Sequence, residues 1–190
     1  MGQVALAEAG GIIGEYAAQI VGVHQLLQKL ICILAFHHTY HPYLYAAYHF
    51  AQLAIRNGLR PLIGTEANLF YEGRKIPFRL LAKNNQGYKN LMKIVTRGFT
   101  EGYYYKPRVD YEVLEKYHEG IIALSACLAG EIPNKILKED FDGARAAANK
   151  MRDIFGENNF FLELQDHGIR QQTQVNTSLI RLSRELGIPM

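Results

Sequence analysis

Three histidines, His37, His38 and His41, stand in the short run AFHHTYHP. Joined by a carboxylate or thiolate, such imidazoles could hold a divalent cation that makes a bound water nucleophilic near neutral pH. A second pair, Asp166 and His167, has the residue types of a general-base dyad. Adjacent His37 and His38 would face opposite sides of a strand, and no cysteine or acid completes a tetrahedral set nearby. They are therefore expected to be polar strand-end residues. Cys32 and Cys127, both in apolar surroundings, make neither a disulfide framework nor a zinc-ribbon spacing, which fits a reducing cytoplasm.

The elements that would position these groups can be read from hydrophobic spacing and stop signals. Tyr43 to Arg56 has apolar residues at helical spacing and stops at Asn57-Gly58. Pro61 to Glu66 reads as a strand ending in a carboxylate, and Asn68 to Leu81 as a hairpin turning at Glu72-Gly73-Arg74. Asn84 or Asn85 caps the helix GYKNLMKIVTR, with Leu91, Met92 and Val95 as its buried stripe and Lys89, Lys93 and Arg97 as its wet one. Asp110 caps the turn YEVLEKY, and Gly120 ends it. Gly120 to Leu124 reads as a buried parallel strand, followed by Ser125, Ala126 and Cys127. Asp140 caps FDGARAAANKMRDIF and Gly156 stops it; Phe160 to Leu164 is the next strand, Gln174 to Glu185 the last helix, and IPM the start of a strand.

The run EGYYYKPRVDYEVLEKYHEGIIALSACLAGEIP, with LLAKNNQGYKNLMKIV before it and FFLELQDHGIRQQ after it, closely resembles the PHP (polymerase and histidinol phosphatase) domain of bacterial DNA polymerase III alpha subunits. The resemblance is strong from about Asn57 to Met190, alignable from about Ala35, and not visible before that. It implies one PHP-type domain over residues 1–190, with 1–34 divergent. The implied fold is α/β, an incomplete form of the distorted (α/β)7 TIM-like barrel, for which this chain would supply five or six strands. In such barrels chemistry collects where the strands end.

The same resemblance implies a site for zinc, manganese or other divalent metals, and here the sequence departs from the pattern. His41, Glu66 and Cys127 match family ligand positions. Tyr40 stands where the family has a metal-binding aspartate, Pro77 where it has a histidine, and the opening His-x-His pair is absent, the first histidine being His24, alone. A tyrosine is a neutral phenol at pH 7, and a prolyl ring has no donor atom to offer. A further aspartate and histidine would lie beyond Met190. Three scattered ligands do not make a cluster, so no cofactor is expected. The DHG turn at Asp166 is ordinary in the family and outside its usual ligands, so Asp166 is expected to fix a turn.

The chain has 190 residues, 48% hydrophobic and 21% charged, which is globular composition. A net charge of +3 is mild, but Arg79 to Arg108 carries seven basic residues against one acid, Glu101. Any DNA binding by this chain is expected to be weak and salt-sensitive. Tyr103, Tyr104 and Tyr105 are expected to pack against the polymerase body. Neither a signal peptide nor an 18-residue apolar run is present, so neither secretion nor a membrane span is expected.

The expected function is the PHP portion of the replicative DNA polymerase III alpha subunit, with a degenerate metal site and a scaffolding role. Its partners would be the rest of that subunit and the holoenzyme, its location the cytoplasm. Polymerase chemistry itself belongs, by the resemblance, to palm aspartates that this chain does not carry. One alternative is an active metal-dependent phosphoesterase or 3′–5′ proofreading exonuclease, in which His24, His37 or His38 replaces lost ligands. Another is the product of a disrupted reading frame, because the departures concentrate before Asn57.

Overall fold

The computed structural model describes Leu44 and residues 47–190. His24, Cys32, His37, His38, Tyr40 and His41 lie outside the described residues. The described chain runs α1 (Ala47–Arg56), β1 (Gly64–Tyr71), β2 (Arg74–Ala82), α2 (Asn85–Thr100), α3 (Tyr111–Tyr117), β3 (Ile121–Leu124), α4 (Glu131–Leu137), α5 (Phe141–Phe155), β4 (Phe160–Phe161) and α6 (Arg170–Leu186). This is a mixed α/β architecture. Among the described residues the strands form one four-stranded sheet in the order β1-β2-β3-β4.

The hairpin turns at Glu72 and Gly73, as its turn residues predict, and pairs β1 with β2 antiparallel from Gly64↔Leu81 to Tyr71↔Arg74. β3 pairs antiparallel with β2 and parallel with β4, so only its β4 side matches the parallel strand read from its apolar run. Thr65, Ala67 and Leu69 of β1, Phe78 and Leu80 of β2, Ile121 and Ala123 of β3, and Phe160 of β4 are buried. Alternation therefore gives the sheet one core face. A small void lined by Leu69, Phe78, Ile132, Met151 and Phe160 shows that α4 and α5 cover this face. Glu66 and Arg79 belong to the opposite alternation, and they are directly paired across the hairpin.

Polar caps set several helix starts. Asn84 Oδ1 accepts from Gly87 N (2.9 Å), Asp110 Oδ1 from Val113 N (2.9 Å) and Asp140 Oδ1 from Gly143 N (2.9 Å). α2 then docks on the turn before β3. Buried Asn90 donates to Glu119 O (2.9 Å), and a Cβ at Gly87 would overlap the Gly120 carbonyl oxygen, so only glycine admits this approach.

Five expectations need correction. Glu66 lies inside β1 rather than at the end of a strand, because the chain runs extended without a break from Gly64 to Tyr71. The buried stripe of α2 is Gly87, Asn90, Leu91, Ile94 and Gly98; Met92 is 39% exposed, since helical geometry carries it a quarter turn away from Leu91. β4 is two residues long, and the C-terminal IPM forms no strand. Leu162 N donates to Pro189 O (2.9 Å), but a proline has no N–H to return, so the ladder stops there. α6 begins at Arg170, earlier than Gln174.

These contacts predict that Gly87→Ala lowers stability by about 2 kcal/mol, in the range typical of overpacking. Met92→Ala should change it by no more than about 0.5 kcal/mol, as exposed substitutions do. Urea unfolding of the two variants checks this, and equal losses would contradict the packing of α2.

Candidate functional site

The sheet register brings the predicted site residues into one row. Glu66 on β1 is opposite Arg79 on β2; Arg79 is opposite Leu124 at the end of β3; Leu124 is opposite Phe161 at the end of β4. Two residues beyond Phe161, the Glu163 carboxylate pairs with Nη1 of Arg79. Nε of Arg79 lies 4.0 Å from Oε2 of Glu66. A guanidinium inside β2 thus sits between one carboxylate inside β1 and another just past β4, and both members of the Arg79–Glu163 pair are largely buried, with side-chain exposures of 17% and 15%.

Neighbouring groups hold this arrangement in place. Ser125, buried just after β3, accepts from Glu163 N through Oγ (2.9 Å), and Gln165 Nε2 donates to Glu163 Oε1 (2.5 Å). Ala126 follows with φ +62°, a left-handed conformation that costs a non-glycine residue about 1 kcal/mol. It turns the chain into Cys127, whose carbonyl accepts from Gly130 N (2.8 Å).

Cys127 is a free, half-buried thiol lining a narrow space with Glu163, Gln165, Gln172 and Asn176. Among the described residues no hydrogen bond or ion pair joins it to Glu66. Pro77 is opposite Asn68 in the hairpin, two residues from Arg79. Asn68 Nδ2 donates to Pro107 O (3.2 Å). His41 lies outside the described residues. Asp166 does what a turn residue does, accepting from Gly168 N (3.0 Å), while Gln172 ties His167 down through backbone N (2.8 Å) and Nδ1 (3.1 Å). That geometry gives the pair no proton-relay contact.

A second polar cluster lies beyond the strand ends. The ring of Tyr111 meets Tyr71 edge-on at 5.2 Å, Lys150 Nζ lies 3.3 Å from its centroid, and its hydroxyl donates to Glu131 Oε2 (3.0 Å). Burial first, then the Glu131 carboxylate, raises the Tyr111 pKa above its ordinary value. The phenol stays neutral, and the cluster staples β1 and α3 to α4 and α5.

Residue reasoning alone missed Arg79 as a site residue and missed Glu163 altogether. Strand alternation placing Arg79 beside Glu66 was the available signal for the first. Nothing local marks Glu163, which is 84 residues from its partner.

A PHP domain match covers residues 4–167, beginning well before Ala35, where the resemblance of the residues becomes legible. The chain belongs to the PHP domain family. It is 42% identical over 163 residues to a DNA polymerase III subunit alpha of Borreliella burgdorferi, covering 80% of this chain and 14% of that relative. Against the same subunit of Deinococcus radiodurans identity is 40%, over 80% of this chain and 12% of the relative. Against that of Thermus aquaticus it is 39%, over 80% and 13%. The chain thus spans about one-seventh of the length of the curated relatives it matches. No helix among the described residues is long and apolar enough to cross a membrane.

PHP domains are generally metal-binding, and the described residues hold only part of the candidate donor set, since His37, His38 and His41 lie outside them. Among the described residues no group of three or more His, Cys, Asp or Glu side chains converges. Oε2 of Glu163 is buried without a hydrogen-bond partner, but it is one donor beside a guanidinium whose charge already opposes a cation. Glu66 also faces that guanidinium, and Pro77 has no donor.

Breaking a buried ion pair leaves an uncompensated charge, so Arg79→Met and Glu163→Gln should each cost about 3 kcal/mol. Glu66→Gln should cost less than about 1 kcal/mol, because Glu66 is farther from the guanidinium and more exposed. Combining Arg79→Met with Glu163→Leu should recover most of the loss. Denaturant midpoints of the four variants test this, and a Glu66→Gln penalty equal to that of Glu163→Gln would refute the asymmetry.

Proposed function

We propose that this chain is the PHP portion of a replicative DNA polymerase III alpha subunit, in which a degenerate metal site has become a structural ion-pair site and the domain serves as scaffold. The observation that carries the reading is the Arg79 guanidinium standing between Glu66 of β1 and Glu163 just past β4. Hydrolytic chemistry of the phosphoesterase type needs several imidazoles and carboxylates to hold cations close together and deprotonate a water. A fixed guanidinium in that row repels such cations and cannot itself activate a water, because it does not deprotonate in proteins. Tyr40 and Pro77, which depart from the family's ligand pattern, point the same way.

On this reading residues 1–190 form a single PHP-type domain of the distorted (α/β)7 kind, incomplete as a barrel. His41, Glu66 and Cys127 are remnants of the family's ligand set, and no cofactor is required. The partner is the remainder of the alpha subunit and, through it, the holoenzyme, in the cytoplasm. The polar surface of the sheet ends is then a fixed structural feature rather than a reaction chamber.

Purified protein should contain well under one tightly bound zinc or manganese per chain by elemental analysis, and should leave a chromogenic phosphodiester intact. Stoichiometric metal that disappears on Glu66→Ala or His41→Ala, with hydrolysis lost in parallel, would instead establish the phosphoesterase or exonuclease reading.

A further inference from the structure

The most exposed aromatic surface among the described residues is the loop between α2 and α3. Tyr103, Tyr104 and Tyr105 are 58%, 62% and 83% exposed, and Phe70 on the neighbouring β1 is 41% exposed. Rings this large are seldom left in water in sequence, so their exposure calls for an explanation from chemistry.

The loop is held rigidly at its base. Val109 N donates to Asn68 O (2.9 Å) and Phe70 N to Val109 O (2.7 Å), so the returning chain adds to the edge of β1 that faces away from β2. Asn68 holds Pro107 O from its side chain (3.2 Å). At the other end a Cβ on Gly102 would overlap the Arg108 carbonyl oxygen, so glycine lets the two ends of the loop meet. At the tip Tyr104 N donates to Lys106 O (3.2 Å), Tyr105 takes a left-handed φ of +58°, and its ring meets that of Tyr104 edge-on at 4.7 Å. The rings are displayed by a built frame.

Cations alternate with the rings. The Arg108 guanidinium lies 4.4 Å from the Phe70 centroid and 4.9 Å from that of Tyr104, and its Nε donates to Gly102 O (3.2 Å). Lys106 is exposed at the tip, and Lys75 is the cross-strand neighbour of Phe70, with Arg74 beside it. None of Arg74, Lys75, Lys106 and Arg108 forms an ion pair among the described residues. Of the nearby acids, Glu101 is paired with Arg97.

We propose that this loop is a contact site for single-stranded DNA. Unstacked bases would lie on Tyr104 and Tyr105, and phosphates would meet Lys106, Arg108 and the Arg74–Lys75 pair. A single strand offers flat apolar faces alternating with anionic groups, matching rings alternating with cations that form no ion pair among the described residues. A duplex offers only the phosphates, because its bases are already stacked. An apolar protein surface would cover the rings but leave the cations unpaired inside the interface, a costly arrangement. The inference is independent of how the strand-end site is read, since it uses the opposite end of β1 and a different loop.

The test is fluorescence anisotropy of a labelled oligothymidylate and of a duplex of equal length, titrated with the 190-residue chain at low salt. Single strand should bind at least about fivefold more tightly than duplex. Tyr105→Ala should weaken single-strand binding at least about fivefold, Tyr105→Phe should preserve it, and duplex binding should be indifferent to both. Lys106→Ala should weaken both and reduce the salt slope by about one. Tyr105 is mostly in solvent, so these variants fold, which circular dichroism verifies. Equal binding of strand and duplex, indifference to Tyr105→Ala, or no binding at all would overturn the proposal. So would protection of the three tyrosines by the remainder of the polymerase with no response to oligonucleotide, which would assign the loop to a protein partner.

Discussion

A guanidinium withdrawn from water must be matched by carboxylate, and the Arg79–Glu163 pair imposes that constraint on the whole sheet. Arg79 is on β2 and Glu163 follows β4, so the pair bridges across β3 and fixes how the two-residue β4 ladder continues. Ser125 holds the Glu163 backbone from the end of β3, and Gln165 steadies the carboxylate. Four separate segments therefore converge on one positive charge. Their ordering is what keeps the short β4 in register, because two paired residues alone would hold it weakly.

On the proposed reading, the same constraint makes this row of the sheet unsuited to divalent ions. Metal clusters need negative and neutral donors arranged without a competing cation, and here the centre of the row is already a cation. Family ligand positions can persist in such a setting without their chemistry. Glu66 remains useful as a second, looser counter-charge 4.0 Å from Arg79 Nε, and Cys127 remains useful as a small, half-buried thiol against α6. On that reading a scaffold would gain from the exchange, because an ion pair holds β2 to the segment after β4 whatever the metal supply.

Local features were legible in the residues because local chemistry decides them. Asn84, Asp110 and Asp140 mark helix starts through side-chain caps, the Glu72-Gly73 turn sets the hairpin, and Asp166 makes its turn. Legibility fell off wherever distant parts of the chain decide the outcome. Glu66 looked like a strand terminus because Pro61 to Glu66 and the hairpin from Asn68 read as separate pieces, whereas pairing with β2 makes one continuous strand. Met92 looked buried because it is apolar, yet the face of α2 is chosen by the approach of Gly87 to Gly120. The strand expected through Leu164 stops at Phe161 because its next contact is a proline carbonyl. The ion pair at the centre of the site spans 84 positions, and no local signal announces such a pairing.

The most direct test of the central claim is an experimental structure of the chain from crystals soaked in manganese and in zinc, with anomalous scattering measured at each metal's edge. The account predicts no anomalous peak within coordination distance of Glu66, Cys127 or Glu163, with the Arg79 guanidinium still between the two glutamates. A strong peak coordinated by Glu66 or Cys127, with Arg79 swung out of the row, would contradict it.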